Sequence, residues 1–142
     1  MLGFLKRFFG ASAKPQKAVN ARDPNRIRRL RGDGEFSEKA AGTSHYQDAL
    51  AEIKAGFRKN SNPDIFFDVV PEPTNQHDKN ALQLQHEGKL VGYIPAFMTA
   101  EVHDALQRVD QVGQKCRVKG RIVGHESKGL GVRLNIRRPA GF

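Results

Sequence analysis

Hydrophobic and polar positions alternate most cleanly between Ala81 and His86, where Leu82 and Leu84 fall on one face and Gln83 and Gln85 on the other, the period of a half-buried strand. Glu87 and Gly88 interrupt the run, and Lys89 to Ile94 return as a second strand. Gly88 supplies the positive φ that a two-residue hairpin turn needs at its second centre. The same period recurs in KCRVKGRIV, where Cys116, Val118, Gly120 and Ile122 alternate with Lys115, Arg117, Lys119 and Arg121. Its expected partner, after a turn at Gly129 and Gly131, places Val132, Leu134 and Ile136 inward and Arg133, Asn135 and Arg137 outward. Ile65 to Val70 is a continuous β-prone run, as a central strand should be, and Pro71 and Pro73 end it. Phe36 to Ala41 predicts a short first strand.

Helical spacing takes over in two places. Tyr46, Leu50, Ile53 and Phe57 recur at intervals of three or four after Ser44, which predicts an amphipathic helix with Ser44 as N-cap. Thr99 to Val109 predicts a second, with Thr99 as N-cap, Glu101 in the first turn and Val102, Leu106 and Val109 inward. These elements together predict a mainly β domain over residues 35–142, an antiparallel β-barrel of about six strands with two helices. Residues 1–34 lack periodic apolar pattern from Ala11 onward and predict a basic N-terminal arm.

The charge distribution sharpens this outline. A net charge of +9 on 142 residues divides into +7 over residues 1–34, −5 over 35–114 and +7 over 115–142. Two basic regions flank an acidic centre, so a polyanion would be gripped from the ends of the sequence. The outward faces of the last two strands form a cationic ribbon whose same-face residues recur every ~6.7 Å. Phosphate tracking is one reading of that ribbon. A lysine-rich edge that resists aggregation is the other.

Composition narrows the chemistry. The single cysteine, Cys116, rules out an internal disulfide and, with no CxxC, a cysteine-based zinc cluster, and it is compatible with a cytoplasmic, reducing setting. The five histidines, His45, His77, His86, His103 and His125, show no ligand spacing. There is no GxxxxGK[ST] phosphate loop, no nucleophile constellation and no catalytic carboxylate pair, so neither catalysis of its own nor a cofactor or metal is expected. No apolar run is long enough for a membrane helix. The first ten residues, MLGFLKRFFG, read either as an amphipathic segment for a membrane surface or protein partner, or as an end that covers an apolar patch.

Asn75, Asp78 and Asn80 crowd the loop before the hairpin. Short Asx side chains stabilise turns by bonding nearby backbone N–H groups, which is the plain reading of such a loop. The stretch EPTNQHDKNALQLQHEGKLVGYIP, Glu72 to Pro95, preceded by GTSHYQDAL at Gly42 to Leu50, also closely resembles the HIRAN domain. That signature is an acidic residue and Pro, then Asn, two residues, Asp, one residue, Asn and Ala, then a strand, a turn and Gly-Tyr-Ile/Leu-Pro. The resemblance covers roughly residues 35–137. HIRAN domains occur alone in bacteria and phage, and as the N-terminal module of Swi/Snf-type fork-remodelling translocases.

The resemblance implies an OB-like barrel that binds the free 3′-hydroxyl end of single-stranded DNA. It implies that Asn75 and Asp78 hold the terminal nucleotide with His77 between them, that His45 and Tyr46 stack on the last bases, and that Tyr93 lies near the pocket. Tyr46 also reads as the first core residue of its helix. The chain has His45 and His77 where animal members have Tyr, and Ser44 where they have a backbone-contacting Arg, which implies weaker stacking and looser end selectivity. A carboxylate suits a strand terminus because it accepts a hydrogen bond from a 3′-hydroxyl and repels a 3′-phosphate. Lys79, Lys115, Arg117, Lys119, Arg121, Arg133 and Arg137 are the expected phosphate contacts. The expected setting is repair, replication or mobile-element biology. Rival readings are an adaptor that docks through its first ten residues, and an accessory subunit of a separate helicase or nuclease.

Overall fold

The computed structural model describes residues 27–108 and 115–142. The amphipathic first ten residues, the basic stretch up to Arg26 and Val109 lie outside the described residues. In chain order the elements are β1 (Ile27–Arg29), β2 (Glu38–Lys39), a 3-10 turn (Thr43–Tyr46), α1 (Gln47–Ala55), β3 (Ile65–Pro71), β4 (Leu82–His86), β5 (Lys89–Tyr93), α2 (Ala96–Arg108), β6 (Lys115–His125) and β7 (Gly129–Asn135). Six strands pair antiparallel in the order β2-β7-β6-β3-β4-β5, and β1 adds to β6 in parallel. The sheet curls into an OB-like half-barrel.

Among the described residues one isolated backbone bridge ties its two edges. Ala41, just past β2, donates to Tyr93 O at 2.8 Å, and Tyr93 N donates back to Ala41 O at 2.9 Å. Gly92 makes that approach possible. A Cβ placed there would stand 2.8 Å from Ala41 O and 3.1 Å from Thr43 Cγ2. The glycine of the GYIP stretch is therefore the residue against which the returning chain closes.

The alternating pattern sorts the two faces as expected. Phe67, Val69, Leu82, Leu84, Val91, Val118, Ile122, Val132 and Leu134 fill the inside of the curl, joined by Leu50 from α1 and Met98 and Val102 from α2. Each such side chain contributes roughly 1.5–3 kcal/mol by leaving water. Cys116 belongs to this interior, where burial pushes its thiol up to about 12. The β4–β5 turn has positive φ at both centres, 50° at Glu87 and 84° at Gly88.

Several local expectations need correction. Regular structure is present upstream of Glu35, at Ile27–Arg29, next to which Leu30 is buried and the backbone around it is bonded, Leu30 N to Arg117 O and Arg31 N to Gly141 O. The expected arm thus contributes a strand. The strand after it is confined to Glu38–Lys39, since Phe36 takes φ 52°. Ser44 caps nothing: Gly42 is the N-cap of the 3-10 turn and Tyr46 that of α1, neither with a side-chain cap bond. Likewise α2 begins at Ala96, directly after Pro95, and the buried Thr99 hydroxyl donates back to Ala96 O. Gly131 lies within β7, opposite Val123.

Gly92→Ala should lower unfolding stability by about 1–3 kcal/mol, the usual cost of overpacking. A urea denaturation curve measures it. Gly141→Ala, where an added Cβ meets open space, is the matched control and should be near neutral. A Gly92→Ala curve that overlays the wild type would show that the closure yields without strain.

Candidate nucleic-acid interface

The loop between β3 and β4 is built by its own polar side chains. Glu72 N donates to Ala81 O at 3.0 Å and fixes the base of the loop. Asn75 Oδ1 then accepts the N–H groups of both His77 and Asp78 at 2.9 Å, and Asp78 Oδ1 accepts that of Asn80 at 2.9 Å. Turn formation therefore occupies the Asn75 carbonyl and one oxygen of Asp78. Among the described residues the other Asp78 oxygen meets no donor. At the far end, His103 Nε2 donates to Asn80 O at 3.0 Å and ties the loop to α2.

Glu72 organises this site, and pattern reading assigned it no role. Its Oε1 accepts from Asn75 Nδ2 at 2.8 Å and from the Tyr93 hydroxyl at 2.9 Å. Those two bonds, that of Asn75 first, hold the Glu72 carboxyl below its ordinary range. Tyr93 moves the opposite way. Burial disfavours its phenolate and the bond to Glu72 adds to the effect, so the hydroxyl stays protonated far into alkaline solution. One signal was legible in the sequence: an acid three residues before Asn, at the end of a strand.

Between the loop and the barrel closure lies a groove of about 340 Å³, lined by Ala41, Gly42, Tyr46, Asn75, His77, Asp78, Ala81, Tyr93, Ile94 and Ala96. Tyr46 and Tyr93 form one wall, with ring centroids 6.5 Å apart and planes at 52°. Tyr46 is half-buried on the 3-10 turn and sits outside the hydrophobic core. The fold thus brings five of the six expected end-pocket residues to one groove: Tyr46, Asn75, His77, Asp78 and Tyr93. His45 is exposed, stands edge-on to Tyr46 at 6.4 Å, and is not part of the lining. Lys79 is exposed on the same loop.

The expected phosphate contacts fare differently. Strand-internal alternation gave a cationic ribbon on the last two strands, and the neighbouring strand brings acids to it. Register places Asp68 of β3 opposite Arg117 and Phe66 opposite Lys119. Arg117 Nε donates to Asp68 at 2.8 Å and Arg121 Nε to Asp64 at 2.9 Å. These pairs are part-exposed, so each is worth only about 0–1 kcal/mol of stability, yet they neutralise two of the expected phosphate-binding arginines. Lys119 lies 5.7 Å from the Phe66 ring centroid, and Arg133 donates to Ser37 O at 3.1 Å. Arg137 lies past the end of β7, where it lines a shallow pocket with Arg31 and Phe142. The backbone of Lys115 opens β6.

One outward face connects the groove to these cations. Tyr93 pairs with Gln83 and Gln83 with Val70, so β5, β4 and β3 present a continuous surface that reaches β6. Gln85 Nε2 donates to Gln83 Oε1 at 2.7 Å along it. Among the described residues no group of three or more His, Cys, Asp or Glu is placed to hold a metal ion, and no helix is long and apolar enough to cross a membrane.

The family model of the HIRAN domain matches residues 33–138. No curated protein and no solved structure matches the chain.

Two outcomes test this geometry. Asp64→Asn with Asp68→Asn releases Arg117 and Arg121, so binding to any single-stranded oligonucleotide should tighten and its log–log salt slope steepen by up to about 1.4. A flat response would mean those arginines face away from the ligand. The Glu72 carboxylate supports the loop at pH values above the ordinary carboxylate range, and that support is lost as pH falls through its depressed pKa. Tyr93→Phe removes one donor and should move the Glu72 carboxyl titration upward by NMR; an unmoved titration would exclude the hydroxyl as its stabiliser.

Proposed function

The chain belongs to the HIRAN domain family, a family of nucleic-acid-binding modules, and on that premise we propose that it binds single-stranded DNA with preference for a free 3′-hydroxyl end. The observation that carries this reading is a half-buried carboxylate, Asp78, on a groove walled by two tyrosines, with one oxygen committed to the loop and the other open. A terminal hydroxyl donates to that oxygen in a charge-assisted bond. A terminal phosphate in the same place meets like charge, which turns the carboxylate into a selector against it.

Tyr46 and Tyr93 take the terminal bases, a contact worth ~1–3 kcal/mol per base in single-strand binders. Tyr93 enters that role already oriented, because Glu72 holds its hydroxyl, and a side chain ordered in advance loses less entropy on binding. Asn75 acts at one remove by shaping the turn that presents Asp78. Lys79 supplies positive charge beside the groove, and Lys119 and Arg133 supply it further along the outward face. The binding is non-catalytic.

Fluorescence anisotropy on paired oligonucleotides, ending in a 3′-hydroxyl or a 3′-phosphate, tests the reading. The wild-type chain should prefer the hydroxyl by about tenfold, the size of one hydrogen bond to a charged group. Asp78→Asn keeps an acceptor for Asn80 N–H while removing the charge, so the preference should fall toward unity with the fold intact. Equal wild-type affinity for the two ends would overturn the proposal.

A further inference from the structure

Phe66 points to the outward face of β3 while its neighbour Phe67 is fully buried on the other, so Phe66 has no part in the hydrophobic core. Two cations cover it. Arg29 from β1 places its guanidinium 4.7 Å from the ring centroid, and Lys119 from β6 places its ammonium at 5.7 Å. Among the described residues neither cation has an acidic partner. The residues two positions away on the same face, Asp64 and Asp68, are each held by an arginine of β6. The ring is thus framed by two neutral ion pairs and topped by two cations free to engage an anion.

We propose that Phe66 with Arg29 and Lys119 is a second single-strand contact, which takes one nucleobase on the ring and the adjoining phosphate on the two cations. It rests on the end-binding reading for one element, that the strand leaves the groove across this face. The dimensions agree. Tyr93 is two strands from β3 by register, and Val70, in its row, is four residues from Phe66, a separation of about 16 Å at ordinary sheet spacings. That places the ring a few nucleotides from the terminus, within the ~4–16 nucleotides that OB-type folds occupy. Arg29 and Lys119 rest on the ring by a cation–π contact, which is weak at exposed sites, so a phosphate can draw them aside and open the ring to a base.

The test compares a trinucleotide with an oligonucleotide of about twelve nucleotides, both ending in a 3′-hydroxyl, on the full chain. Wild type should bind the longer one more tightly. Phe66→Leu keeps an apolar side chain on the strand and should weaken the longer ligand by about fivefold or more, leaving the trinucleotide and the hydroxyl-over-phosphate ratio unchanged. Arg29→Gln with Lys119→Gln should lower the salt slope for the longer ligand by about 1.4. Equal losses on both lengths, or an unaltered longer ligand with an unaltered slope, would overturn the second contact. If wild type fails to discriminate 3′ ends while the longer ligand still depends on Phe66, the end reading fails and the second contact stands.

Discussion

The molecule is organised by the place where its sheet meets itself. Two backbone hydrogen bonds between Ala41 and Tyr93 join edges that are more than fifty residues apart in sequence, and the missing side chain of Gly92 lets them approach. The tyrosine wall of the groove follows from that contact. The chain leaving Ala41 turns at Gly42, φ 72°, into the 3-10 turn that carries Tyr46 to the side of Tyr93. Tyr93 then reaches Glu72 with its hydroxyl, Glu72 holds Asn75, and Asn75 folds the backbone so that Asp78 lines the same space. A scaffold bond is thus linked to the proposed recognition group several steps away, which is how a rigid sheet gives precision to residues on a loop.

Charge is partitioned along the outward face in a way that suits the proposed end-binding function. A nucleic-acid backbone is anionic throughout, and a free 3′-hydroxyl gives its end a neutral donor. The carboxylate stands at the groove, while Lys119, Arg29 and Arg133 lie on the strands beyond. The Arg117–Asp68 and Arg121–Asp64 pairs temper this second region. Under the proposed function they reduce non-specific attraction along the sheet, which would leave more of the discrimination to the terminus.

Pattern alone revealed the inward side of the barrel well. Leu82, Leu84, Val118 and Ile122 alternate with polar residues because a strand has a period of two, and that period survives any arrangement of neighbours. The Asx loop was legible for a similar reason, since its bonds are local. What stayed hidden was set by partners distant in sequence. Asp64 and Asp68 lie about fifty residues before the arginines they pair with, and nothing in KCRVKGRIV announces them. Ile27 and Leu30 were obscured by the arginines around them, though Leu30 is buried. His45 shares a short turn with Tyr46, and a 3-10 helix turns successive side chains apart, so adjacency in sequence did not put both in the groove.

An NMR titration of the isotope-labelled chain with a trinucleotide ending in a 3′-hydroxyl reaches the central claim most directly, because it reports where the terminus sits. Shifts should concentrate on the loop from Glu72 to Asn80, on Tyr46 and on Tyr93, and a matched 3′-phosphate trinucleotide at the same sub-saturating concentration should move those signals far less, as about tenfold weaker binding requires. Equal shifts from both ligands, or shifts centred on β6 and β7 with the loop silent, would contradict a hydroxyl-selecting groove.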